Sequence, residues 1–201
     1  MEMEEKIKAS PTYKADIKAA YNKASKPLLW VGIISIVMMF AGLTSAYVVR
    51  ADNGNWLIFE LPNAFYLSTA VIVTSSVTLF FAMQMAKKNN KKGVILGLLG
   101  TFVLGLVFTY CQFKGYGELL SKNIFFAGKS ANASGSFLYI LTFLHLLHLF
   151  AGLIVLLVTL RSGVKGKYDS QNTLGLELCS IYWHFLDILW VYLFLFLYFI
   201  R

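Results

Sequence analysis

The sequence predicts an all-α polytopic membrane protein, a bundle of five transmembrane helices, and three observations carry that reading. Of its 201 residues 58% are hydrophobic and only 14% charged, against roughly a quarter charged in a soluble domain. The charges are segregated, and the apolar runs between them exceed the roughly 18 residues that mark a membrane-spanning helix. These runs are apolar on every face, whereas a barrel strand needs only about ten residues of alternating polarity.

The predicted spans are Leu28–Val49, Ala64–Ala86, Gly93–Phe113, Phe137–Leu160 and Leu178–Ile200, each of 21 to 24 residues. At about 1.5 Å rise per residue each crosses a hydrocarbon core of about 30 Å. Small residues share a face in the first three: Gly32, Ser35, Gly42 and Ala46 in the first, Ser68, Ser75, Thr78 and Ala82 in the second, and the GxxxG pair Gly93 and Gly97 in the third. Helix backbones approach closely at such faces, because lipid supplies no hydrophobic drive for association. Residues 28–200 read as a single membrane domain, with no internal repeat and no inverted pair of broken helices. The third connection, Lys114–Ser136, is rich in Gly, Ser and Asn and reads as an exposed loop.

Lysine and arginine set the expected orientation. The segment before the first span and the second and fourth connections hold thirteen (Lys6 to Lys26, Lys87 to Lys92, Arg161 to Lys167), and the other side holds five. The positive-inside rule puts the N-terminus in the cytoplasm and the C-terminus outside. The net charge of +8 is explained by these loops, so anionic lipid headgroups, rather than nucleic acid, are the expected partner of the basic face. Residues 1–27 form a cytoplasmic N-terminal segment without the apolar core and cleavage site of a signal peptide, and Tyr13–Lys26 is read as a short surface helix. Cys111 and Cys179 fall at opposite ends of their spans, too far apart for a disulfide.

The ionisable residues inside the membrane raise the functional question. An Asp at mid-bilayer costs about 2.5–3.5 kcal/mol on insertion scales, so it persists only if it is partnered, protonated or facing another protein. His184 and Asp187 stand at i and i+3 on the fifth span, with Glu177 two turns below on nearly the same face. His145 and His148 repeat that spacing on the fourth span, with Gly152 further along the same arc. All three histidines of the chain are therefore intramembrane. Three readings of the cluster are open on this evidence: haem or metal ligation, which needs imidazoles converging from separate helices; a proton relay with Asp187 and Glu177; or polar fasteners that join helices to one another, to lipid headgroups or to a larger partner. The fifth span is also dense in aromatics, Tyr182, Trp183 and Trp190 among them, which marks a broad packed surface.

The run Tyr182-Trp183-His184-Phe185-Leu186-Asp187-Ile188-Leu189-Trp190 resembles the last helix of cytochrome c oxidase subunit III, in the haem-copper oxidase superfamily. Gly175 and Glu177 match the Gly-x-Glu before that helix, and His145, His148 and Gly152 match a family helix bearing His-x-x-His-x-x-x-Gly. Gln112, Tyr116 and Glu118 look like the family's aromatic and acidic approach to the loop after the preceding helix, and Ser35 and Gly42 suit small positions of its first shared helix. The likeness covers about residues 28 to 200. Two departures stand out. Many members have seven helices with a lipid-filled cleft, where this chain has five, and the family's buried Glu in the first shared helix aligns with Ile36.

The resemblance implies a non-catalytic subunit of a respiratory terminal oxidase in a bacterial cytoplasmic membrane. It would support stability and proton uptake of the oxygen-reducing catalytic subunit I. No catalytic, cofactor or metal residue is then expected in this chain. Haem and copper belong to partner subunits, and phospholipid is bound. His145, His148, Glu177, His184 and Asp187 become structural or lipid-contacting polar residues, and Tyr182, Trp183, Trp190 and Gly152 packing residues. The rivals are the same fold in a quinol oxidase or a nitric-oxide-reducing complex, a free-standing haem-binding or proton-conducting protein, and an assembly scaffold.

Overall fold

Backbone amides in hydrocarbon have no water to bond, so an uncapped apolar run must satisfy them internally, as a helix does. The computed structural model describes residues 11–52, 54, 56–128, 132–166, 168 and 173–200. Among these the chain forms five helices and no strand: α1 (Pro11–Asp52), α2 (Asn63–Lys87), α3 (Lys91–Ser121), α4 (Ala133–Val164) and α5 (Leu174–Phe199). All five are long and apolar enough to cross a membrane, and the chain is a multi-pass membrane protein. Asn90 and Asn132 cap α3 and α4, accepting from the amides of Gly93 and Ser134 at 3.1 and 3.0 Å. Lys6, Lys8, Lys129, Lys167 and Arg201, used in the charge count, lie outside the described residues.

Every helix starts before its predicted span, and α1 and α3 exceed theirs the most. The surface helix expected over Tyr13–Lys26 is continuous with the first span, and α1 passes through Pro27 as one helix of 42 residues. Alanine and lysine favour helix through that segment, and an ion pair from Lys26 to Glu177 at 2.6 Å ties it to α5 just before the proline. Helix α3 likewise runs past Phe113 to Ser121, so Gln112, Tyr116 and Glu118 lie on the helix instead of approaching a loop. Gly115, read from sequence as a loop signal, is a packing notch: a Cβ there would overlap the Phe65 ring.

Helices α2, α3, α4 and α5 form a closed ring, each packing on the next and α5 returning to α2. Among the described residues α1 packs on α4 and α5 alone. The tightest seam is α2 against α3. A Cβ on Gly97 would lie 2.7 Å from Ala82 Cβ and 2.9 Å from the Thr78 carbonyl oxygen, and one on Gly93 would meet Met85. Thr78 and Thr101 hydroxyls bond across the same seam at 2.8 Å. The small face expected of the first span behaves differently. Gly32 and Gly42 have nothing within 4 Å of an added Cβ, and α1 turns Ile33, Phe40, Thr44 and Tyr47 inward in its place. Bulky side chains reach across the wider gap at which α1 stands, and small ones would not. Cys111 and Cys179 are both free and buried.

Gly97→Leu should therefore disrupt the α2/α3 seam, at about 1–3 kcal/mol for overpacking, while Gly32→Leu leaves the solubilised chain unaffected. Size-exclusion profiles of the two variants after graded heating in detergent check this.

Candidate functional site

The polar side chains of α5 leave it in three directions. At its start Glu177 accepts from Lys26 of α1 at 2.6 Å and from the Thr173 hydroxyl, also at 2.6 Å. The Lys26 and Glu177 side chains are partly exposed, at 49% and 31%, so water and salt screen the pair and hold its worth to about 1 kcal/mol or less. One turn on, the Tyr182 hydroxyl donates to the His148 carbonyl of α4 at 3.2 Å.

Midway along α5, Ser76 of α2 is gripped by both intramembrane ionisable groups. Its hydroxyl donates to Asp187 Oδ2, and its oxygen lies 3.0 Å from His184 Nδ1. With its single proton directed to Asp187, Ser76 accepts from His184, whose Nδ1 then carries a hydrogen. A hydrolytic triad places the imidazole between serine and carboxylate. Here the serine sits between the other two, donating to the carboxylate and accepting from the imidazole. Chemically the trio is a clasp between helices.

The two tryptophans face the bundle interior. Trp183 Nε1 donates to Ser75 Oγ of α2 at 3.0 Å, and its ring fills notches at Gly105 of α3 and Gly152 of α4, where a Cβ would lie 2.8 and 3.4 Å from it. Trp190 Nε1 donates to Thr69 Oγ1 at 3.0 Å. Its ring meets Phe65, Phe108 and His145 at centroid distances of 5.7, 5.0 and 5.2 Å. His145 is fully buried among these rings, with both nitrogens lacking a hydrogen-bond partner among the described residues. His148 points elsewhere and its Nδ1 bonds the Leu144 carbonyl at 2.7 Å.

The structure thus brings His184 and Asp187 together and separates them from Glu177 and from the α4 histidines, which have other partners. His145, His148 and His184 occupy three different surroundings, and no three His, Cys, Asp or Glu side chains gather as a metal-binding group among the described residues. Ser76 is the residue that sequence reasoning missed. Its signal was depth: it lies 13 residues into α2, as Asp187 lies 13 residues into α5. Three further links were also unforeseen: Gln112 to Ser68 at 2.9 Å, Tyr116 to Thr142 at 3.0 Å, and Glu118 accepting from the Asn63 amide at 2.8 Å.

This arrangement has relatives. The family model for cytochrome c oxidase subunit III matches residues 57–201, the part of the chain that holds the α2–α5 ring. The chain belongs to the cytochrome c oxidase subunit III family. It is similar to cytochrome c oxidase subunit 3 of Thermostichus vulcanus, 32% identical with 85% of this chain and 84% of that protein covered. It is similar also to the probable cytochrome c oxidase subunit 3 of Mycobacterium tuberculosis, 36% identical over 87% and 86%. A third relative is the cytochrome bo(3) ubiquinol oxidase subunit 3 of Pseudomonas aeruginosa, 31% identical over 82% and 79%. The stretch of α5 that resembles the subunit III motif carries Trp183, His184, Asp187 and Trp190, and all four bond α2: Trp183 to Ser75, His184 and Asp187 to Ser76, and Trp190 to Thr69. Ile36 is half-buried and packs against the apolar core.

Ser76→Ala removes the one described donor to Asp187 and should cost about 1–3 kcal/mol, as for an unsatisfied buried group. Ser76→Thr keeps the hydroxyl and should retain most of that. Thermal melts of the two variants in one detergent, with the expected order wild type, Thr, Ala, test the clasp.

Proposed function

We propose that this chain is the non-catalytic third subunit of a haem-copper terminal oxidase, where it packs beside the oxygen-reducing catalytic subunit and sustains its stability and proton uptake. The observation that carries the reading is the subunit III match over the whole α2–α5 ring, joined to relatives that cover more than four-fifths of the chain. In this reading haem and copper reside in partner subunits and the chain contributes no ligand to them. Phospholipid binds along its apolar faces. The membrane is the bacterial cytoplasmic membrane, with the N-terminus inside. The excess of Lys and Arg in residues 1–27 and around the α2–α3 and α4–α5 connections supports that orientation.

The intramembrane polar residues hold helices in this account. Glu177 fastens α1, His184 and Asp187 fasten α2, and His145 and His148 are structural. A quinol oxidase is the second reading, favoured by the ubiquinol oxidase relative, and the neighbouring subunits decide the electron donor.

The complex recovered through a tag on this chain, in mild detergent from its native membrane, should show haem bands in a reduced-minus-oxidised spectrum together with a large many-helix partner. Haem bands with this chain alone would make its histidines ligands and defeat the proposal. Asp187→Asn should lower the amount of this chain retained per haem while initial oxygen consumption stays unchanged; full retention with an immediate loss of rate would count against the fastening role. For orientation, an alkaline phosphatase fusion after Lys122 should be active and one after Lys88 inactive.

A further inference from the structure

Asp187 has one partnered oxygen and one bare one. Oδ2 takes the Ser76 proton, while Oδ1 is buried and has no partner among the described residues. The residue as a whole is only 4% exposed. Ser76 and Asp187 nevertheless border the outside of the bundle, at a groove of about 200 Å³ between α2 and α5 that Val73, Ile188 and Val191 also line. Val73 and Ile188, on its two walls, are 48% and 70% exposed.

Depth decides what can enter that groove. Asp187 stands 13 residues from the start of α5 and 12 from its end, about 18–20 Å from either at about 1.5 Å per residue. Ser76 is similarly central in α2. Lipid headgroups are a helix half-length away, and acyl chains donate no hydrogen bond. A carboxylate at this depth is costly unless it is satisfied, and helix α1 cannot satisfy it because it packs along α4 and α5 and does not touch α2. The complement of a bare acceptor at mid-bilayer is a donor side chain on a membrane helix of another chain.

We infer that the α2/α5 groove receives a transmembrane helix of the catalytic partner subunit, and that this helix brings a hydrogen-bond donor to Asp187 Oδ1. The inference rests on the oxidase-subunit reading and adds to it the face of contact and the chemistry of the partner there. Asp187 then joins three helices in one place: its own, α2 through Ser76, and the partner's. Asn at this position would keep an acceptor for Ser76 but turn an amide N–H₂ toward a donor, so the replacement opposes docking rather than folding.

The test is site-specific photo-cross-linking in the complete tagged complex. A benzophenone side chain is placed at Val73 or Ile188 in the groove, or at Leu96 of α3 or Ile154 of α4, which are exposed elsewhere on the ring at least as much as Val73. Val73 and Ile188 should link to the haem-bearing subunit, identified by mass spectrometry, and Leu96 and Ile154 should not. Adding Asp187→Asn should lower the Val73 yield by about tenfold, the scale of one lost charge-assisted bond. Links from Val73 and Ile188 to lipid only, or to a second copy of this chain, in a preparation that still holds the haem subunit would overturn the inference and leave the oxidase reading intact. An unchanged Val73 yield in the Asp187→Asn background would also overturn it, by removing the donor. A preparation without any haem-bearing subunit would overturn the oxidase reading itself, and this inference with it.

Discussion

Hydrocarbon neither draws apolar helices together nor offers their polar groups a partner. Helices in it must gain from close van der Waals contact and from hydrogen bonds they make to each other. The α2/α3 seam uses both. Gly93 and Gly97 let the backbones meet so closely that an added Cβ would overlap Met85 and Ala82, and the Thr78–Thr101 bond lies at the same place. Further along, Gln112 reaches Ser68, and Glu118 binds the Asn63 amide at the open end of α2. The ring closes by the same rule on its other side, where α5 returns to α2 through Ser75, Ser76 and Thr69.

A four-helix ring leaves its diagonal to be filled, and the two tryptophans of α5 fill it. No backbone contact joins α3 to α5, yet Trp183 lies against Gly105 and Trp190 against Phe108, both on α3. Each indole buries a large apolar body and finds a hydroxyl for its N–H, as a buried tryptophan requires. This explains the shape of the subunit III motif on α5. Trp183 and Trp190 are two turns apart and point inward, and His184 and Asp187 sit on the adjoining face and grip α2. One heptad thus supplies both the filler and the clasp.

Helix α1 stands apart from this scheme. Its contacts are bulky side chains on α4 and α5, the Lys26–Glu177 pair at one end, and a hydrogen bond from the Tyr192 hydroxyl to Thr44 at 3.1 Å. Its glycine face meets no other described residue. The match to the family model begins after it, at residue 57. Its attachment is looser than that of the ring: α1 is held by packing, one screened ion pair and one hydrogen bond.

The sequence by itself determined the class, the five spans and the family. Twenty or more uncharged apolar residues have a single stable backbone solution in lipid, and the Tyr-Trp-His-Phe-x-Asp-x-x-Trp run is specific enough to be read without coordinates. It also located GxxxG as a contact, because close approach requires small residues at that spacing. The tertiary structure alone decided which helix each polar group would serve. A face computed along one helix places Glu177, His184 and Asp187 in a single stripe, but whether that stripe meets α1, α2 or lipid depends on how neighbours are arranged around it. Gly115 and Gly117 read as a loop for the same reason. Local sequence shows the helix-weakening glycine, while the phenylalanine that needs Gly115's notch, Phe65, lies 50 residues away in the chain. Spacing along one helix is local information; the partner across the bundle comes from the folded arrangement of all of them.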